Sequence, residues 1–440
     1  MSAVTSTPDT NTPAEGLTET GEVVLRTTES HEARTHRYSL GGLFAVLGVL
    51  MVWLSTSTTG TAQFALSNAF DEVQLPTFSL PGLPVVIACA VVLLAAGAVM
   101  IARRLPGAWP ALVGTLAGLA VVIGFLTWAA AGRGLPFQIS NQMAGTIMLA
   151  TPLVFGALCG IMCERAGIVN VAIEGQMLVA AFTAAVVGST TQSITAAIFG
   201  AVLAAIMMSA VLALFAIKYL VNHVVLGVVI NLLASGLTGF LFDQLVRPRS
   251  SEFNAAPTMK AVAIPGLSQI PFLGPVLFTQ TVLVYMAIVA VVVAWFVLFK
   301  TSWGLRIRSV GEHPKAADTV GINVHGIQWS AVLFSGVFAG LGGAFFTVGS
   351  IGAFNKDITV GNGFIALAAV IMGRWHPVLA AIIALFFGFV TQMATQLQTL
   401  STPMPSQFLL MLPYIATIIA VAGLVGRVRA PAHDGIAYVK

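Results

Sequence analysis

Few side chains in this chain could do covalent or metal chemistry, and their spacing assembles no reaction. His31-Glu32-Ala33-Arg34-Thr35-His36 approaches the zinc-hydrolase pattern His-Glu-x-x-His. Its second histidine falls one position late, and no helical pattern is evident around it to orient the pair. Cys159 and Cys163 share a helix face at i, i+4, but both lie in an apolar run, as does Cys89, and read as small packing residues. No disulfide framework or metal-ligand set is indicated. The phosphate-binding pattern Gly-x-x-x-x-Gly-Lys-Ser/Thr is absent, since Lys300-Thr301 follows Phe299 where glycine is required. There is no Gly-x-Ser-x-Gly elbow and no His-Glu-x-x-His in an apolar run, so hydrolysis inside a membrane has no visible chemistry. Haem or metal redox chemistry is equally unsupported.

What remains are polar residues set into apolar surroundings. Glu164 to Met177, ERAGIVNVAIEGQM, carries Asn170, Glu174 and Gln176 close to Gly167 and Gly175. A carboxylate at membrane depth is costly and faces a polar cavity or a partner rather than lipid. Glycine breaks free backbone groups, which is tolerable there only when they are buried in protein or line an aqueous path. Glu174 therefore reads either as a substrate contact or as a structural or gating hydrogen-bond partner. A second stretch runs from Gly336 to Arg374. Its Gly336-x-x-x-Gly340 is a helix-packing spacing, and Asn355, Lys356, Asp357 and Gly361-Asn362-Gly363 precede a short apolar run. Asn362 and Phe364 suit a path for a polar, ring-bearing solute, or an ordinary turn. The third stretch, Lys300 to Asn323, is the longest basic interruption in the second half of the chain. Pro314 and Lys315-Ala316-Ala317-Asp318 predict a short helix start, and Gly321 and Asn323 its stop. That segment is either a docking element or a solvated connector.

The elements that must position these residues are membrane helices. The 440 residues are 57% hydrophobic and 8% charged, against about 25% charged in an average soluble protein; mean hydropathy is +0.94. The expected class is an all-α polytopic membrane protein, with about 10–12 transmembrane helices, some broken or re-entrant. Candidate spans fall at 40–57, 83–102, 110–131, 142–163, 166–188, 195–217, 222–246, 279–299, 325–349, 361–373, 377–397 and 407–426. The run at 361–373 is too short for a full crossing. Twelve passes with a cytoplasmic N-terminus leave only Arg133, Arg247, Arg249, Lys260 and Lys356 outside, five of the twenty Lys and Arg. That bias predicts both termini in the cytoplasm. The net charge of +4 reflects this topology and does not suggest nucleic-acid binding.

Residues 1–38 read as a disordered tail, 39–140 as extra N-terminal helices, 141–426 as a uniform core and 427–440 as a C-terminal tail. Two outer loops have enough length for shape. One, 58–82, carries Asp71 and Glu72; the other, 247–278, contains Pro248, Pro257, Pro265, Pro271 and Pro275, which exclude one long helix.

Three segments together, ERAGIVNVAIEGQMLVAAF, GEHPKAADTVGINV and GNGFIALAAVIMGRWHP, resemble the permease subunit of nucleoside/simple-sugar ABC importers, within the branched-chain amino acid and sugar permease family. The likeness spans about residues 145–425, in the same order and separation. It implies that Gly311–Ile322 is a coupling helix docking into a cytoplasmic ABC ATPase, with Gly311, Glu312, Pro314, Ala316, Ala317 and Gly321 at matching positions. It implies also that Asn170–Glu174–Gly175 and Gly361–Ala369 are helix breaks around the translocation path, with Asn170, Glu174, Asn362 and Phe364 as candidate path residues. The chain itself would be no enzyme and hold no cofactor, ATP and Mg being bound by the ATPase. A second, different permease and an extracytoplasmic substrate-binding lipoprotein would complete the importer in the cell membrane. The long front section departs from the family's usual short start. An ion-coupled secondary carrier of a small polar solute is the alternative, although such carriers bear more intramembrane charge than Glu174 alone.

Overall fold

A computed structural model describes residues 14–17, 23–26, 31–68, 73–103, 106–400, 402, 405–419 and 429–439. Among them, ten helices are long and apolar enough to cross a membrane, and two shorter apolar helices accompany them. The chain divides into two compact units. Asp71 and Glu72, and residues 420–426 of the last candidate span, lie outside the described residues.

The first unit takes in the chain up to Thr61 and Leu80–Gly132. Its helices are α1 (His31–Ser55), α2 (Gly82–Ala102) and α3 (Trp109–Ala130). The stretch expected to be tail therefore contributes a helical start, His31-Glu32-Ala33-Arg34-Thr35-His36 included, and also an antiparallel strand pair, Ala14–Leu17 with Val23–Arg26. Small residues let α1 and α2 meet closely: a Cβ on Gly97 would lie 2.8 Å from the Gly41 carbonyl. The Trp128 indole N–H donates to Ser57 Oγ at 2.9 Å, satisfying its one polar atom inside the packing.

The second unit holds Ala62–Ser79 and everything from Arg133 onward. Its long helices are α4 (Ile139–Glu164), α5 (Ile173–Thr191), α6 (Ile194–Ala213), α7 (His223–Leu241) and α8 (Val282–Lys300). Two short ones follow, α9 (Ser302–Glu312) and α10 (Pro314–Thr319). The last four are α11 (Val324–Phe346), α12 (Asn362–Met372), α13 (Pro377–Thr399) and α14 (Ser406–Ile419). Of their most apolar windows, 83% of α4, 67% of α5 and 78% of the α11 span are buried, against 28–39% for α6, α7, α8 and α13. The first three therefore form the centre and the others wrap it, with apolar faces such as Val225, Leu232 and Phe240 turned outward. Gly336 and Gly340 put α11 against α6, where a Cβ on Gly336 would lie 2.9 Å from Ile206 Cα. This is the packing use expected of that spacing.

Two helices are interrupted. The expected span from residue 166 begins only at Ile173, because Arg165–Ala172 form turns and extended chain, with Gly167 at φ +86°. The second interruption follows α11. A π turn, Thr347–Ile351, leads into a loop with Asp357 at φ 53°, Val360 at φ 45° and Gly361 at φ +76°, and only then does α12 begin. The proline-rich loop folds back on this second break. Ala256 N–H donates to Gly352 O at 2.8 Å and Met259 N–H to Val348 O at 2.7 Å. The Asn254 amide both donates to Phe354 O at 3.0 Å and accepts from Phe354 N–H at 2.6 Å.

Candidate functional site

The two interruptions meet through one carboxylate. Glu174 lies in the first turn of α5, and its oxygens reach the start of α12. Oε1 accepts from Thr359 Oγ1 at 2.5 Å and from Gly361 N–H at 2.8 Å; Oε2 accepts from Gly363 N–H at 2.6 Å. A helix N-terminus has unpaired N–H groups and a partial positive charge. Here two such ends share one anion, which explains why this acid tolerates its position. Gly363 is required by the contact, since a Cβ there would lie 2.5 Å from Glu174 Cα. Asn231 on α7 closes the other side of the first break, accepting from Gly175 N–H at 2.8 Å and donating to Val171 O at 2.9 Å.

Asn170 faces no open space, being 0% exposed. Its Nδ2 donates to Gln176 Oε1 at 3.1 Å and to Cys159 Sγ at 3.3 Å, and its Oδ1 accepts from Ala172 N–H at 3.1 Å. Gln176 in turn donates to Ser209 Oγ at 3.1 Å, and Cys163 Sγ lies 2.9 Å from Ser335 Oγ. The two cysteines thus belong to a closed polar network joining α4, α5, α6 and α11. Such a network rigidifies a core when every member is paired.

Asn362 and Phe364 sit beside Glu174 at the start of α12. Asn362 is half-buried and donates to Thr359 O at 2.7 Å, while the Phe364 ring is 50% exposed. Tyr414 on α14 comes to the same place, its hydroxyl donating to Val360 O at 3.3 Å. An amide and two aromatic rings therefore surround Gly361. Tyr414 was not singled out in the sequence, where it is one aromatic in an apolar run 50 residues beyond Phe364.

The opposite end of α12 is also held by an acid from the first break. The indole N–H of buried Trp375 donates to Glu164 Oε2 at the end of α4. Arg374 and Trp375 both take left-handed backbone, φ 53° and 52°, a strained conformation for large residues. Arg165 fastens the same turn, donating to the Trp375 carbonyl at 3.0 Å and the Arg374 carbonyl at 3.3 Å. Burial pulls the Arg165 guanidinium below its ordinary value and nearby Glu312 opposes that. Burial and then the Arg165 charge hold the His376 imidazole below its usual value.

The basic stretch from Lys300 to Asn323 folds around a helical pair, α9 and α10. Pro314 opens α10, where its missing N–H costs nothing. Gly321, at φ +84°, closes it: Gly321 N–H donates to Asp318 O at 2.9 Å and Ile322 N–H to Ala317 O at 3.1 Å, a Schellman ending. Lys315, Ala316, Glu312 and Gly321 are exposed, whereas Pro314 and Ala317 face inward. Ala317 packs with Val310, Val324 and Tyr438. Val320, 75% exposed, is the prominent apolar side chain of this surface. Gly311 lies backbone to backbone on the first break, where a Cβ would collide with the Arg165 carbonyl oxygen. Gln328 Nε2 adds a donor to Ala166 O at 3.3 Å. The C-terminal tail, which carried no signal in the sequence, crosses this junction: His433 N–H donates to Gly311 O at 2.9 Å and Gly435 N–H to Gly167 O at 3.2 Å. Among the described residues, no group of three or more His, Cys, Asp and Glu is placed to hold a metal.

Residues 142–422 match the family described as branched-chain amino acid transport system, permease component. The chain is 40% identical over 308 residues to the nucleoside ABC transporter permease protein NupC of Lactococcus lactis subsp. cremoris, covering 68% of this chain and 96% of that protein. It is 40% identical over 315 residues to the guanosine ABC transporter permease protein NupQ of Bacillus subtilis, covering 69% and 97%. It is 31% identical over 263 residues to the putative glucose ABC transporter permease protein TsgC13 of Haloferax volcanii, covering 60% and 79%. No solved structure matches. With more than half its length matched and two relatives covered almost end to end, the chain belongs to the family of branched-chain amino acid transport system permease components.

Proposed function

We propose that this chain is the permease subunit of an ABC importer that carries nucleosides, or related simple sugars, across the cell membrane. The observation that carries the reading is the pair of interrupted helices joined at Glu174, in a chain 40% identical to two proteins named as nucleoside and guanosine permeases. Interrupted helices at mid-membrane are where transporters place polar solutes. Asn362, Phe364 and Tyr414 supply an amide and stacking faces for a nucleobase or sugar. Glu174 and Asn170, whose polar atoms are engaged by protein groups, hold the breaks in place beside that path. The α9–α10 pair lies in the cytoplasm and docks into an ATPase subunit that binds ATP and Mg. Exposed Val320, Glu312 and Ala316 meet that partner, and buried Ala317 and Gly311 set the angle of α10. A second permease subunit and a substrate-binding lipoprotein complete the assembly.

Affinity purification of the chain from its native membrane in mild detergent tests this. Recovery of an ATPase, a second permease and a lipoprotein is the expected outcome, and the lipoprotein is then screened against guanosine, other nucleosides, pentoses and hexoses. A chain that emerges alone and moves solute on a proton or sodium gradient is instead a secondary carrier.

A further inference from the structure

Residues 429–439 fold back onto the end of the second unit that carries α10, and their contacts converge on one junction. The His433 N–H donates to the Gly311 carbonyl at 2.9 Å, and the Ala432 N–H to Glu312 Oε2 at 3.3 Å. Two residues on, the Gly435 N–H donates to the Gly167 carbonyl at 3.2 Å. Within four residues the tail is thus bonded both to the end of α9 and to the first helix break. Gly435 itself turns at φ +78°, a conformation open to glycine, and lies against Val169. Further along, Tyr438 is 6% exposed, packed with Val310, Ala317 and Val324. Its phenol hydrogen-bonds Asp318 on α10, and its ring lies 5.4 Å from the His325 ring. A free terminal segment has no reason to bury a tyrosine or to spend its backbone donors on two elements. Glu174, two residues past the end of the break, is the residue that holds the start of α12.

From these contacts we infer that residues 431–438 form a strap that carries displacement of α10 to the Gly167–Ala172 break, and that Tyr438 is the positioning residue that seats α10 on the strap. The inference rests on the proposed function, because it gives the strap an ATPase stroke to transmit. Packed side chains, hydrogen bonds and rigid elements in contact are a physical means of carrying coupling between a moving element and a distant site. The Gly311–Arg165 approach supplies one side of that route and the tail the other.

The test uses the whole complex in proteoliposomes, with the ATPase, the second permease and the lipoprotein present. Tyr438→Ala, Tyr438→Phe and His433→Pro are compared with wild type for ATPase co-purification, basal ATP hydrolysis, its stimulation by loaded lipoprotein, and nucleoside uptake. Expected for Tyr438→Ala and His433→Pro are normal co-purification and basal hydrolysis, with stimulation and uptake reduced at least fivefold. Tyr438→Phe, which keeps the packed ring, is expected to recover most of both. Uptake and stimulation within twofold of wild type in Tyr438→Ala and His433→Pro would overturn the strap. So would loss of ATPase binding in Tyr438→Ala, since the tail would then be a docking element and no transmitter. A wild-type chain that brings down no ATPase overturns the proposed function, and the strap falls with it.

Discussion

Glu174 stands at two helix N-termini, and its two oxygens take three donors from residues 359–363. Replacing it with alanine leaves those donors unpaired in a partly buried place, at about 1–3 kcal/mol for each buried group. Glu174→Ala is expected to lower the thermal-unfolding midpoint of the purified protein by several degrees and to abolish uptake. Glu174→Gln keeps one acceptor oxygen and is expected to fall between the two. Equal melting of Glu174→Ala and wild type would remove the bridge from the account. Gly311 is a sharper case, because its Cβ would collide with backbone rather than with a flexible side chain. Gly311→Ala should reduce uptake by tenfold or more while the protein still reaches the membrane, as fractionation and immunoblotting would establish. In the tail, burial pushes the Asp434 carboxyl from 3.8 up to about 7, against the pull of the Gly435 N–H. It faces the Glu164 carboxylate and adjoins His433, whose imidazole burial and the His313 and Lys315 charges hold below its usual value. The docked tail therefore binds a proton that the free tail releases near 3.8. Ionisation of Asp434 opposes docking, so the contribution of this carboxyl is fully present in acid, is lost as pH climbs through that interval and stays lost above about 7. The depressed His433 imidazole, which docks neutral, acts in the opposite sense as acid protonates it. A spin label at position 436 should gain mobility across this range, and Asp434→Asn should abolish that gain, leaving only the opposing acid-side effect of His433.

At the scale of elements, the two broken helices are comparable in design, and each is closed by side chains from elsewhere in the chain. Asn231 satisfies the first break from α7, and Asn254 clamps the second from the proline-rich loop. Asn231→Ala is expected to lower uptake and expose the α5 start to faster amide exchange at Gly175; unchanged exchange there would count against its role. Helix existence is legible in the sequence for the ten long helices among the described residues, because each carries enough apolar residues to span hydrocarbon. The apolar run places the start of α5 at 166, seven residues before the helix begins at Ile173. Apolar residues of the break, such as Ile168 and Val169, prolong the hydrophobic run although their backbone is not helical. Gly167 and Asn170 were the local signs of the break. Nothing local showed that Glu174 would answer Gly363, 189 residues away.

For the whole molecule, the distribution of Lys and Arg predicts an orientation of the bundle that is open to direct test. The native cysteines Cys89, Cys159 and Cys163 are all buried, which leaves a quiet background for labelling. A cysteine at exposed Val320 should react with an impermeant maleimide only from the cytoplasmic side, and one at exposed Leu267 only from outside. The reverse pattern would invert the topology and separate α10 from any cytoplasmic ATPase. The sequence by itself determined the class of this protein. A run of about 20 apolar residues can satisfy its backbone in lipid only as a helix, and three polar motifs in fixed order marked the family. Only the tertiary structure decided what the polar residues do. It enclosed Asn170 in a network, made Glu174 the bridge between two helix ends, turned Ala317 inward and laid the C-terminal tail across Gly311 and Gly167. Those outcomes depend on which groups packing brings together across hundreds of residues, and hydrophobic periodicity records only the face that an element buries.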